Sequence, residues 1–218
     1  MGLFDFFNKS KNTNDKTIEE PINFSLSCLK SIQMGQTGMS LKPFDIQDLY
    51  ELNDTVVLYA FGNTESMKKF LPNMNLSSKN AAAEFLKNLV LKTEMRLEFG
   101  YAIRYGQGMV GMILVETPAF NKKAMGFPQW TCNFFILEPF QHKKMISVAL
   151  PYMLNFLKQD IGINNLYFLV DPANIPCLNF LRTLPFDEVD NAGLSSTNGG
   201  NVPKVFLCQL NDITLLRK

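Results

Sequence analysis

The apolar positions change period along the chain, and each change marks an element. The run MSLKPF at 39–44 reads as a short strand. In the stretch that follows, Ile46, Leu49 and Tyr50 fall at helical spacing, Val57 resumes the same face, and Asp45 stands where an N-cap belongs. Ser77 or Ser78 caps a second helix whose Ala82, Phe85, Leu86, Leu89 and Val90 share one side. After Gly100 the period falls to two. Residues 101–105 and 109–115 flank Gly106-Gln107-Gly108, which is a hairpin signal, and Gly111 inside a strand predicts a bulge or a close backbone approach. Residues 116–128 read as a loop, and the apolar run 130–137 (WTCNFFIL) as a strand buried on both faces.

The next helix places Met145, Val148, Ala149, Tyr152, Met153, Phe156 and Leu157 on one side, with Pro151 on the polar side, where solvent can satisfy a freed carbonyl. Gly162 ends it, and 165–170 (NLYFLV) follows as a strand after a crossover of βαβ length, so the two strands should be parallel or splayed. A short helix carrying Leu178, Leu181 and Leu184 comes next, then short strands at 187–189 and 205–210. Between the strand at 130–137 and its helix lies a basic turn, Gln141, His142, Lys143, Lys144, Met145 and Ile146. A strand feeding a helix through such a turn aims unpaired N–H groups and the positive end of the helix dipole at one spot, which suits a phosphate.

Composition narrows the partners. The chain has 218 residues, 46% of them hydrophobic, and a net charge of +1, so no broad positive field argues for nucleic acid. Cys28, Cys132, Cys177 and Cys208 are far apart, form no CxxC pair and have one histidine to join them, so no metal is expected. No apolar run approaches the roughly 20 residues that cross a bilayer, and the expected compartment is the reducing cytoplasm. The expected organisation is an N-terminal extension at 1–38, partly flexible and opening with apolar Leu3, Phe4, Phe6 and Phe7, followed by one domain at 39–218.

Four stretches carry a resemblance: LKPF at the first strand, the hairpin FGYAIRYGQGMVGMILVE with its Gly111, the strand and turn FFILEPFQHKKMI, and NIPCLNFLRTLPF. Together, in this order, they resemble the GNAT superfamily of acyl-CoA-dependent N-acetyltransferases, and most of all its ribosomal-protein-alanine acetyltransferase branch. The resemblance implies an α/β (α+β) acyl-CoA N-acyltransferase fold: a mixed, mostly antiparallel central sheet with a splayed parallel strand pair, flanked by helices. It also implies acetyl-CoA as co-substrate and an amine acceptor, on a protein N-terminus, an amino sugar or a small molecule. A homodimer is compatible with it. By this likeness the backbone of Phe135, Ile136 and Leu137 pairs with the pantetheine arm, and Gln141, His142, Lys143, Lys144, Met145 and Ile146 receive the pyrophosphate. Asn174 contacts the arm and Cys177 lies near the thioester.

The departures are specific. The family's turn reads Q/R-x-x-G-x-G/A; Gln141 fits it, while Lys144 and Ile146 stand where the glycines belong. A left-handed residue there costs roughly 1 to 2 kcal/mol without glycine, whereas Lys143 and Lys144 add charge that can hold a phosphate. Pro185 replaces a glycine in the usual L-G-F ending. Acid–base work is usually done by a Glu in the splayed strand or a Tyr in the later helix, and Cys132 and Leu181 stand at those places. The remaining candidates are Glu116, as a carboxylate at the end of a strand, and Cys177, as a thiol. Two functions are therefore carried forward: direct acetyl transfer from acetyl-CoA to an amine, and a non-catalytic GNAT-like module that has lost the cofactor turn.

Overall fold

Alternating burial along the strands builds a sheet with a core on each face. The computed structural model describes residues 24–45, 52–71, 74, 76–190, 194 and 201–211. Among these, eight strands form one sheet: β1 (Ile32–Gln33), β2 (Met39–Pro43), β3 (Glu98–Tyr105), β4 (Gly108–Glu116), β5 (Thr131–Ile136), β6 (Asn165–Val170), β7 (Asp187–Val189) and β8 (Lys204–Gln209). Their order is β1-β2-β3-β4-β5-β6-β8-β7. All neighbours are antiparallel except β5 and β6, which are parallel. The helices are α1 (Leu52–Gly62), α2 (Glu65–Phe70), α3 (Lys79–Glu94), α4 (Pro118–Met125), α5 (Met145–Phe156) and α6 (Ile175–Arg182).

On one face Ala102, Met112, Leu114 and Phe135 pack with Leu58 of α1 and with Leu86 and Leu89 of α3. On the other, Tyr101, Ile103, Val115 and Cys132 pack with Leu150, Met153 and Leu154 of α5 and Leu178 of α6. Adjacent residues of one strand feed opposite cores because their side chains alternate. The alternation slips once on β4. Ile103 pairs with Gly111 and Arg104 with Met109, leaving Val110 as the extra residue of a bulge. The expected close approach at Gly111 is present: a Cβ there would sit 2.5 Å from the Phe135 carbonyl oxygen of β5. Arg104, beside the bulge, reaches Asp54 of α1 through Nη1 at 3.0 Å and Nη2 at 2.5 Å, fastening that helix to the sheet. Both side chains are largely buried, and removing one partner of such a pair costs about 3–5 kcal/mol.

Three expectations change. Residues 116–128 are not all loop: α4 begins with the Thr117 hydroxyl accepting from Phe120 N, has Pro118 at its first position, and ends at left-handed Gly126. A helix not expected from the sequence, α2, is capped by Thr64, whose hydroxyl accepts from Met67 N. The chain also joins the core before Met39, since Phe24 and Met34 are buried in the cluster under α5 and β1 pairs with β2. Residues 1–23 and 46–51, the latter with Ile46, Leu49, Tyr50 and whatever Asp45 caps, lie outside the described residues. Ser78 caps α3 as expected, its hydroxyl accepting from Ala81 N at 3.0 Å. The buried side of α5 is broader than its sequence spacing suggests, taking in Leu150 and Leu154, and a π-helical turn (Leu157–Ile161) carries the chain from α5 to Gly162.

Candidate functional site

The strands β5 and β6 pair at one register only, Thr131 with Tyr167, where Tyr167 N donates to Trp130 O at 2.9 Å. Beyond that point they part. The free backbone groups in the gap follow from the ladders on either side. Leu137 N donates to Val110 O, so the odd-numbered residues of β5 turn their backbone toward β4, while Trp130 and its even-numbered successors turn toward β6. Phe134 and Ile136 therefore present N–H and C=O groups to the gap. On β6, Leu210 N donates to Asn164 O, which sends the backbone of Leu166, Phe168 and Val170 toward β8 and that of Leu169 into the gap. Unpaired strand edges of this kind are templates for another extended chain.

A cleft of about 460 Å³ occupies the gap and runs to the start of α5. Its walls include Phe134 and Ile136 of β5, Leu169 of β6, and Cys177 of α6 with its N-cap Asn174, and Ser66, Met67 and Phe70 of α2 line it as well. At the far end stand Gln141, His142, Lys144, Met145, Ile146 and Ser147. Lys144 is the N-cap residue of α5 and supplies no side-chain cap, so the first N–H groups of a twelve-residue helix look into the cleft mouth without a local acceptor. Gln141 Nε2 donates to the gap-facing carbonyl of Ile136 at 3.2 Å.

No protein-family model and no curated protein sequence matches the chain. Solved structures do. The ribosomal L7/L12 α-N-protein acetyltransferase RimL superposes with a TM-score of 0.64 at 15% identity, covering 83% of this chain and 94% of that one. RimJ of Mycobacterium smegmatis, in complex with CoA-disulfide, gives 0.62 at 10% identity over 81% and 84%. The microcin C7 self-immunity acetyltransferase MccE, in complex with acetyl-CoA and AMP, gives 0.63 at 12% identity over 81% and 94%. The chain has the GNAT fold. The parallel pair that interrupts its otherwise antiparallel sheet is the splayed pair expected from the sequence.

Within this GNAT fold most of the expected site residues meet. Phe135, Ile136, Gln141, His142, Lys144, Met145, Ile146, Asn174 and Cys177 all line the cleft, although Phe135 turns its backbone to Met112 of β4 and offers none to the gap. Three do not. Leu137 is 1% exposed, buried in the core under α1 and α3, with its N–H spent on Val110. Lys143 does not line the cleft and lies over the Phe140 ring, its Nζ 5.3 Å from the ring centre. Glu116 sits at the closed end, opposite Thr131 and outside the cleft lining. Sequence reasoning missed Phe134 and Leu169, whose gap-facing backbone is set by ladder register, and it missed α2, for which Thr64 followed by Glu65 was the available capping signal.

The turn keeps left-handed backbone without glycine: His142 has φ +61° and Lys144 φ +58°. Histidine enters that region more readily than most residues, and lysine does not. Lys144 therefore carries the conformational cost that a glycine would remove. Asn174 Oδ1 accepts from Cys177 N at 3.3 Å as the N-cap of α6, which aims this helix start at the cleft. Burial pushes the Cys177 thiol up to about 11, so it is protonated at neutral pH. The Cys132 thiol is raised as well, by complete burial. Neither thiol is poised as a nucleophile. The Glu116 carboxyl is raised by burial, an effect partly offset by the Thr131 hydroxyl. Asp171 also lines the cleft, with its Oδ1 accepting from Ala173 N at 2.7 Å.

Proposed function

We propose that the chain is an acetyl-CoA-dependent N-acetyltransferase that passes the acetyl group directly to an amine. The observation that carries this is the continuous path from the gap-facing backbone of Phe134, Ile136 and Leu169, with the Ile136 carbonyl shared with Gln141, to the uncapped start of α5. A long, narrow ligand with amides in its middle and phosphates at one end fits such a path. The amides of the pantetheine arm find strand-edge partners in the gap, and the phosphates find the α5 N–H groups and Lys144. Acetyl-CoA supplies the activated thioester. The structural relatives include proteins described in complex with acetyl-CoA and with CoA-disulfide, which supports the same assignment.

With Cys177 un-ionised and Glu116 outside the cleft, this chain's contribution is positioning: it holds the thioester beside α6 and excludes water with Phe134, Phe168 and Phe180. The amine enters from the α2 side as the free base; its nitrogen bonds to the acetyl carbon as the C–S bond breaks, CoA leaves as the thiolate, and the proton shed by nitrogen is taken up by that thiolate. Glu116 is thus not assigned the acid–base role expected of it, nor Cys177 the role of nucleophile.

A second reading has one observation behind it. Among the described residues the single carboxylate lining the cleft is that of Asp171, already engaged by a backbone N–H. A module that binds CoA or a similar ligand without turnover would look the same. Melting with acetyl-CoA, then thiol release with a panel of amines, separates the outcomes. Ligand at 100 times its Kd contributes about 2.7 kcal/mol, a rise of about 5–10 °C for a chain of this size. No shift at millimolar acetyl-CoA overturns the assignment, and a shift without thiol release across the panel selects the binding module.

A further inference from the structure

The closed end of the gap is built from polar groups that the cleft does not use. Thr131, the one β5 residue in register with β6, lies opposite Glu116 of β4. Its hydroxyl donates to Glu116 Oε2 at 2.6 Å and accepts from Asn121 Nδ2 of α4 at 2.9 Å. Thr131 and Asn121 are 1% and 0% exposed, so these bonds form away from water, where an unmade one is costly. Asn121 Nδ2 also donates to Gln129 O at 2.8 Å, and the Phe127 ring stands edge-on to Tyr167 with centres 5.3 Å apart. A single position of β5 is thereby held by β4, by α4 and by β6.

We propose that Glu116, Thr131 and Asn121 are positioning residues that pin the apex of the β5–β6 gap and set its width along the cleft. The proposal rests on the acyl-CoA reading of that cleft. Leverage makes the apex matter. From Thr131 to Ile136, β5 extends about 17 Å, so a rotation of about 4° at the apex moves its far end by about 1 Å. A displacement of that size takes a hydrogen bond in the gap out of range. Glu116, which the sequence offers as a base, acts here through Thr131 on the strand that would hold the arm.

Thr131→Val keeps the side-chain shape and removes the hydroxyl, and Thr131→Ser keeps the hydroxyl. Amide exchange read by NMR reports the apex directly through Tyr167 N–H, bonded to Trp130 O, with Leu137 N–H as the control on the β4 side. In T131V, Tyr167 exchanges about tenfold faster while Leu137 is unchanged, and CoA affinity measured well below the melting temperature weakens about tenfold, or about 1.4 kcal/mol. T131S stays near wild type in both. Unchanged Tyr167 exchange overturns the proposal. So does unchanged affinity in a protein that binds CoA, because a merely structural bond would lower melting and leave affinity intact. If the wild type itself does not bind CoA, the acyl-CoA reading fails, and the exchange of Tyr167 alone decides the role of the apex.

Discussion

Replacing Lys144 by glycine should make the protein more stable while making it a poorer CoA binder. Lys144 sits at φ +58°, ψ 17°, exposed, and caps nothing with its side chain. A non-glycine residue in this region loses about 1–2 kcal/mol to the contact between Cβ and the following carbonyl. Glycine removes that contact but adds roughly 0.5–1 kcal/mol of unfolded-chain entropy. The difference spans about 0–1.5 kcal/mol and centres on a gain of about 0.75 kcal/mol, or roughly 1.5–3 °C in melting temperature for a chain of this length. The same substitution deletes the one lysine that lines the cleft mouth among the described residues. Loss of a point charge near a phosphate should weaken CoA by about fivefold, close to 1 kcal/mol. Lys144→Ala is the control, since it loses the charge and keeps the strained backbone: affinity falls as in K144G, and melting does not rise. Thermal melting without ligand and calorimetry with CoA read the two effects separately. If K144G melts at or below the wild type, the left-handed conformation is not a cost at this position and the argument about the missing glycine collapses.

Three further substitutions test other parts of the account. Cys177→Ala should retain turnover within about threefold, because a thiol raised to about 11 contributes no nucleophile; a hundredfold loss of kcat would overturn direct transfer. Gly111→Ala should cost about 1–3 kcal/mol in urea unfolding, since its Cβ would lie 2.5 Å from a carbonyl oxygen held in the sheet. A cost under 0.5 kcal/mol would mean the two strands separate easily there. Glu116→Gln probes a carboxyl raised by burial and faced by Thr131 of β5, Glu98 of β3 and Lys92 of α3. A raised acid contributes stability that is present at low pH and lost as pH rises through its folded value. The melting temperature of E116Q minus that of the wild type should therefore grow from about pH 4 toward pH 7, and a difference that is flat with pH contradicts it.

The fold was legible where periodicity and punctuation agree. The hairpin around Gly106–Gly108, the apolar strand before the basic turn and the capped helix at Ser78 each combine a clear period with a specific end signal, and all three are present. The segments misread were short. In α2 and α4, six and eight residues give fewer than three turns of pattern, and the evidence lay in caps: Thr64 with Glu65, and Thr117-Pro118 with Gly126. A cap motif predicts a helix start but says little about whether the turns after it persist, because tertiary packing supplies most of a short helix's stability. Here Met67 of α2 and Asn121 of α4 are the buried anchors.

The site was harder to read because it depends on which way backbone groups point. Phe134, Phe135, Ile136 and Leu137 are indistinguishable in the sequence as members of one apolar run, yet only alternate residues can offer N–H and C=O groups to the gap. That parity is set by the pairing of β5 with β4, which is anchored at its two ends by Leu137 on Val110 and Thr131 on Glu116. The bulge at Val110 lies beside the first of these anchors. A slip of one residue there would exchange the gap-facing pair Phe134 and Ile136 for Phe135 and Leu137, and would at once move their side chains between the two cores. Register, side-chain burial and the free edge of the cleft are therefore one constraint. It ties Gly111 to the shape of the cleft although Gly111 is not among the residues lining it.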